Sequence, residues 1–385
     1  MLTADLSKFV PMIKRLDDAR PNRSVGWFLC AILLSIAVVL GAPFIGEVRA
    51  AIRSMFPAGY SSIINGTVIV LVALGLAFTV ARMRRRSTRL PLLAAALALA
   101  AVYAAAVSTG NAEVDAVERF HFIEYGLLTF CFYQAWRVRG DPSVLVLPAL
   151  AALLVGTFDE WCQWFVPGRV GEVHDVLLNG ASISCGLLAS VGINPPVRVS
   201  PRFGRGSLSR IGWLAAAVVL SLAGFLQSAH LGHTIADAEA GAFDSRYTTQ
   251  ELQRISLERT ERWRSAPPEP QGLLAREDQY LSEALFHVQE RNDGDDHTAW
   301  RENRILEKYY APVLDIRVGP TFAYRWPPEQ RVEMANRTTG DRQPYISAAL
   351  PIPVFKWPKR LFWGLVAALT CTIAGSCLVV ERRRH

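Results

Sequence analysis

The chain has little cysteine, and none of it is arranged to build a site. Its six cysteines are Cys30, Cys131, Cys162, Cys185, Cys371 and Cys377; no two form a CxxC pair. Five lie inside apolar runs and none falls between residues 232 and 358, which argues against a disulfide framework or a zinc knuckle. There is no HExxH and no catalytic-triad signature, so no single motif names a reaction. Charged side chains make up only 19% of the chain, and they are unevenly spread. The net charge of +7 would suit nucleic acid if it were general. However, residues 230–355 hold 20 acidic and 15 basic side chains, leaving 26 of the 41 basic and 14 of the 34 acidic residues elsewhere. That surplus lies beside alternate apolar runs, as in membrane proteins oriented by their loops, and it excludes a nucleic-acid partner.

Apolar sequence is what the chain has in quantity. Half of its 385 residues are hydrophobic and the mean hydropathy is +0.20. Several runs approach the length that crosses a bilayer. The sequence predicts eight spans, near Val25–Phe44, Ser61–Ala81, Leu90–Ser108, Phe120–Trp136, Pro142–Phe158, Asp175–Ile193, Ile211–Leu231 and Leu361–Val380. The first is longer than the core of a signal peptide and reads as an uncleaved span. Residues 45–60 read as a short, partly helical connection.

Basic clusters follow spans two (Arg82, Arg84, Arg85, Arg86, Arg89), four (Arg137, Arg139), six (Arg198, Arg202, Arg205, Arg210) and eight (Arg382, Arg383, Arg384). They fall on one side if both termini are cytoplasmic, in the inner (plasma) membrane. The expected fold is an all-α polytopic membrane helical bundle of about eight spans, with one exoplasmic, mainly helical soluble domain between spans seven and eight. Five parts follow: a cytosolic segment and two spans (1–89), a four-span core (90–193), a basic loop and seventh span (194–231), the exoplasmic domain (232–358), and the eighth span with its basic tail (359–385). Within the exoplasmic domain Asp295-Asp296 offers a helix N-cap, residues 311–355 look irregular or strand-like, and His287 and His297 read as lone surface or satisfied histidines.

Two segments carry the polar chemistry. Glu118, Arg119, His121 and Glu124 stand at the entry of span four. Asp159, Glu160, Gln163, Arg169, Glu172, His174, Asp175 and Asn179 crowd the connection between spans five and six. Such a density at the mouth of membrane helices is expensive and marks a functional site by default. Glu118, His121 and Glu124 are spaced i, i+3, i+6; Asp159 and Gln163 are four apart, as are Asp175 and Asn179, so each pair shares a helix face. Asp159 and Glu160 sit where the helix dipole disfavours anions, which calls for Arg169 or a bound metal. Asp175 reads as an N-cap. A histidine–carboxylate pair suits acid–base work, making His121, Glu124, Asp159 and Glu160 the catalytic candidates. Glu118, Arg119, Gln163, Arg169, Asp175 and Asn179 are the binding candidates. The cofactor is unknown; oxygen-rich ligation with one imidazole would suit a divalent metal. The competing reading is structural: Arg169 pairs with a carboxylate, Asp175 caps, and Asn179 bonds a neighbouring helix.

These residues resemble the VanZ-like family of membrane proteins, named for a teicoplanin-resistance determinant. The first pattern matches Glu118-Arg119, His121-Phe122 and Tyr125. The second matches Asp159-Glu160, Gln163, Phe165, Pro167-Gly168-Arg169, Asp175 and Asn179, with Gly186 following and Ser182 where the family often has glycine. The resemblance covers residues 90–193. It implies a multi-spanning protein of the bacterial envelope with a link to glycopeptide resistance, and it supplies no reaction.

Three functions stay open at this point. One is an outward-facing pocket that binds or acts on a lipid headgroup or cell-wall precursor, as a hydrolase or transferase. The second is a non-enzymatic scaffold or binding protein. The third is a transporter, which would prefer broken helices and midplane charges.

Overall fold

The computed structural model describes residues 10–83, 89–108, 110, 112–166, 171–196, 199–266, 268, 279–339, 343–349 and 354–383. The chain divides into two units: residues 1–160, 173–223 and 365–385 form the first, and residues 161–172 and 224–364 the second.

Seven helices open the chain: α1 (Val10–Met55), α2 (Tyr60–Met83), α3 (Leu90–Ala106), α4 (Ala112–Trp136), α5 (Ser143–Gln163), α6 (Val173–Ile193) and α7 (Ser207–Ala229). The last helix, α13 (Lys359–Arg383), follows the second unit's elements. Six of these are long and apolar enough to cross a membrane: α1, α2, α5, α6, α7 and α13. Of the other two expected spans, α3 is apolar but has 17 residues, and α4 carries Asp115, Glu118, Arg119 and Glu124 on its 25. Leu33, Leu40, Phe44, Ile69 and Leu74 are exposed along α1 and α2, a surface that water would penalise and lipid would accept.

The helix ends differ from the sequence reading in three places that matter. α1 runs on to Met55, because residues 45–55 pack onto the start of α2: Arg49 Nε donates to the buried Tyr60 hydroxyl at 3.0 Å, and Arg53 lies 5.1 Å from its ring centroid. α4 begins at Ala112 rather than Phe120, so Asp115, Glu118 and Arg119 are on the helix. α6 begins at Val173, so Asp175 stands in the first turn and is not the cap. Its carboxylate still faces the favourable end of the helix dipole.

α4 is the centre of the first unit, packing on α6, α1, α2 and α3, while α3 also packs on α6. Tyr125, Leu128, Cys131 and Phe132 of α4 form a core with Ala31 and Val38 of α1, Ala151 and Ala152 of α5, and Ile183 of α6. Where α4 and α6 cross, a Cβ on Gly186 would stand 2.7 Å from the Gly126 Cα. Only glycine allows that approach, the small-residue contact by which membrane helices associate without a hydrophobic drive.

Acidic side chains tie down the start of α7. Asp141, before α5, accepts from the Ser143 N–H at 2.8 Å, the Gly204 N–H at 2.7 Å and the Ser207 hydroxyl at 2.6 Å. Glu381 of α13 accepts from the Gly206 N–H and from the Ser209 N–H at 2.7 Å. Both carboxylates therefore lie at the positive dipole end of α7, and Glu381 also takes up a free N–H of its first turn. Burial acts to raise the Asp141 carboxyl, but the hydrogen bonds from Ser143, Ser207 and Gly204 outweigh it and bring it down to about 2, against an ordinary 3.8. A depressed carboxyl stabilises the fold above its ordinary value, and that contribution disappears as the pH falls toward about 2. Asp141→Asn should therefore lower the thermal midpoint at neutral pH, with a deficit on the order of 2 kcal/mol that closes as wild type and variant are acidified together. A deficit that does not change with pH would mean that the carboxylate contributes only packing.

The second unit contains an antiparallel hairpin, β1 (His233–Asp237) with β2 (Gly241–Ser245), followed by α8 (Thr249–Ser265), α9 (Gln279–Asp293), α10 (Asp296–Tyr309) and α11 (Ala311–Leu314). A short hairpin, β3 (Arg317–Val318) with β4 (Thr321–Phe322), and α12 (Pro328–Arg337) complete it. Thr248 and Glu251 form a full capping box at α8. Asp295 caps α10, accepting from the Thr298 N–H at 2.8 Å, as the sequence predicts. Residues 343–347 add a third chain to the first hairpin: Ala242 N–H donates to Tyr345 O at 2.9 Å and Ser347 N–H to Ala242 O at 2.8 Å. The approach explains Gly241, whose φ is 106° and whose Cβ would stand 2.9 Å from the Tyr345 oxygen. Phe243, Leu252, Trp263, Tyr280, Ile305 and Tyr310 make the core.

Candidate functional site

The two polar segments meet through a tyrosine. Tyr125 is fully buried on α4, and its hydroxyl donates to Asp159 Oδ2 of α5 at 2.9 Å. Helical spacing places Tyr125 one turn below His121 and two turns below Glu118 on a single face. The imidazole of His121 stacks on the Tyr125 ring at 6.0 Å between centroids. His121 Nδ1 lies 3.2 Å from the Glu118 carbonyl oxygen, a contact that needs the proton on Nδ1.

α6 closes the third side. Asn179, wholly buried, packs where α5 comes nearest: a Cβ on Gly156 would lie 3.0 Å from the Tyr125 ring and 3.2 Å from Asn179 Cβ and Nδ2. Gly156 is thus what lets the Asn179 amide sit beside the tyrosine. Neither Asn179 Oδ1 nor Nδ2 has a hydrogen-bond partner among the described residues. A buried amide in that state costs about 1–3 kcal/mol.

The site has two tiers along α4. The inner tier is Tyr125, Asp159, Asn179, Glu160 and Glu124; Asp159, Glu160 and Glu124 are the charges acting on Tyr125. Nearer the start of α4 lies a second tier, where Asp175, His174, Asp115 and Arg119 are the charges that act on Glu118. Asp115 is held by the Ser108 hydroxyl at 2.5 Å, and His174 Nδ1 lies 3.8 Å from Asp175 Oδ1. Arg119 turns to α2, donating to Asn65 Oδ1 at 2.5 Å.

Residues 100–193 match the VanZ/LLP1 family model. The VanZ-like segment so defined runs from late α3 to the end of α6 and contains both tiers. No curated protein and no solved structure matches the chain.

Measured against the sequence reading, the VanZ-like segment brings Glu118, His121, Glu124, Asp159, Glu160, Asp175 and Asn179 to adjoining places in the first unit. Gln163 is buried at the end of α5 and groups with the second unit, as do residues 164–166, 171 and 172 of the α5–α6 connection. There Trp161 Nε1 donates to Ser228 at 3.1 Å, and Arg246 lies 4.5 Å from the Trp164 ring centroid. Arg169 lies outside the described residues. Among the described residues, no three His, Cys, Asp or Glu side chains are grouped to hold a metal ion, so the oxygen-rich metal site expected from spacing is not formed by them.

Spacing alone passed over three participants. Asp115 is three residues before Glu118 and could have been found by extending the helical pattern toward the N-terminus. Gly156 and Ser108 act through contacts with other helices, and nothing local marks them.

Proposed function

We propose that the VanZ-like segment binds the polar head of a membrane lipid or lipid-linked cell-wall precursor, in the bacterial envelope, with glycopeptide resistance as its physiological setting. The observation that carries this reading is Asn179: a fully buried amide with no partner among the described residues, beside the Tyr125–Asp159 hydrogen bond. A ligand that donates to Oδ1 and accepts from Nδ2 would repay its burial. Asn179→Leu tests the reading. It should leave the thermal midpoint unchanged or slightly higher, because it removes an unmatched amide from an apolar setting. Lipid or precursor retained through purification should fall at least about tenfold. Full retention in the folded variant would reject the reading.

A purely structural role draws support from the Gly126–Gly186 contact and the Tyr125–Asp159 bond, both of which fix helix packing. It expects Asn179→Leu to leave bound lipid unaltered.

The reading also proposes an orientation in the plasma membrane, with both termini cytoplasmic and residues 232–358 outside. It rests on the basic residues after spans two, four, six and eight. Ser265, exposed at the end of α8, provides a handle. Ser265→Cys should react with an impermeant maleimide in intact cells. Labelling only after permeabilisation would reverse the orientation.

A further inference from the structure

We infer that the second unit carries a site for an organic phosphate monoester, in a pocket between the end of α8, α11 and β3. The pocket has a volume of about 360 Å³, enough for a small ligand. Trp263, Pro312 and Ile316 are its buried apolar floor, and Arg264 and Arg317 are its exposed rim. Residues 230–355 hold more acidic than basic side chains, yet here arginine gathers. Asp315 is the carboxylate among the described lining residues, and Arg325 takes its charge. Arg259, also in the lining, pairs with Glu258. Arg264 and Arg317 have no carboxylate partner among the described residues.

Helix termination accounts for one of these two cations. Arg264 stands in the last turn of α8, where the dipole favours positive charge. Arg317 comes from β3 and has no such reason to be there. Its guanidinium lies 4.5 Å from the Phe322 ring centroid, and that of Arg325 lies 5.6 Å from the same ring. Two cations therefore share one aromatic ring, and Asp315 answers only one of them. A phosphate monoester carries a charge of about −1.5 to −2 at neutral pH and three acceptor oxygens, which matches two guanidiniums from two elements. A carboxylate would be satisfied by a single guanidinium fork and would leave the other unmatched. The apolar floor then receives the organic part of the ester.

This site shares no residue with the VanZ-like segment, so its test is separate from that of the headgroup reading. The full chain in nanodiscs is titrated calorimetrically with phenyl phosphate, inorganic phosphate and benzoate. Phenyl phosphate should bind at least about tenfold more tightly than benzoate and about threefold more tightly than inorganic phosphate. Arg264→Gln and Arg317→Gln should each weaken phenyl phosphate at least about tenfold. Both side chains are exposed, so the variants should keep the wild-type thermal midpoint. Arg254→Gln, exposed on α8 outside the pocket lining, and Asn179→Leu should leave the affinity unaltered. Equal affinity for any two of the probes, or phenyl phosphate binding that survives both pocket substitutions, would overturn the inference. Loss of that binding in Asn179→Leu would also overturn it, by assigning the phosphate to the VanZ-like segment.

Discussion

Glu283→Ala should destabilise the second unit by about 3–5 kcal/mol, the cost of stripping one partner from a buried ion pair. Glu283 is 1% exposed, and all its acceptor capacity is in use. Oε1 accepts from Arg246 Nε at 2.9 Å and from the Arg246 N–H at 3.1 Å; Oε2 accepts from Ser245 Oγ at 2.7 Å and Tyr310 OH at 3.0 Å. Removing the carboxylate leaves a guanidinium at 8% exposure with its charge unmatched, and three further donors with it. Burial, and then the Glu283 charge, hold the Tyr310 phenol well above its usual range, so that hydroxyl is a donor at any working pH. The control is Glu258→Ala, which breaks surface contacts with Arg259 and, at 3.6 Å, with Arg262 and should cost less than about 1 kcal/mol. Limited proteolysis between residues 224 and 364, followed on heating, would compare the two. Equal cleavage temperatures would show that the network is dispensable.

Gly186→Ala should have a comparable effect in the first unit, about 3 kcal/mol at the upper end of overpacking costs. The added methyl would meet backbone, the Gly126 Cα at 2.7 Å and its carbonyl oxygen at 2.9 Å, and backbone cannot rotate away. α4 and α6 would have to separate, pulling Asn179 from Tyr125 and dismantling the site. Gly180→Ala, on the same helix with open space around it, should be neutral or slightly stabilising by helix propensity. Thermal unfolding in detergent distinguishes them, and matching midpoints would show that the helices do not rely on this contact.

The membrane helices were legible because a long apolar run has few alternatives in lipid, where backbone groups must be satisfied within the segment. Helical spacing also aligned Glu118 with His121, and Asp175 with Asn179. What spacing could not supply was where the helices begin: α4 at Ala112, and α6 at Val173 with Asp175 inside its first turn rather than capping it. Polar residues at a helix end look like loop until a neighbouring helix takes them in. His287 reads in sequence as a lone histidine on the surface or with its needs met. It is in fact 1% exposed, with Nδ1 2.6 Å from Glu302 Oε2, a partner fifteen residues away on the next helix. The β1–β2 hairpin was missed because its strands are short and its third chain arrives from residues 343–347. Glycines 126 and 156 were invisible for the same reason: each is required by a neighbour distant in sequence.

Whether Asn179 is a ligand contact rather than packing is tested most directly by a density map of the protein purified with native lipid. It should show non-protein density within hydrogen-bond distance of the Asn179 amide, beside Tyr125 and Asp159. An Asn179 amide satisfied by a protein group such as the Arg169 guanidinium, with no density between α4, α5 and α6, would contradict it.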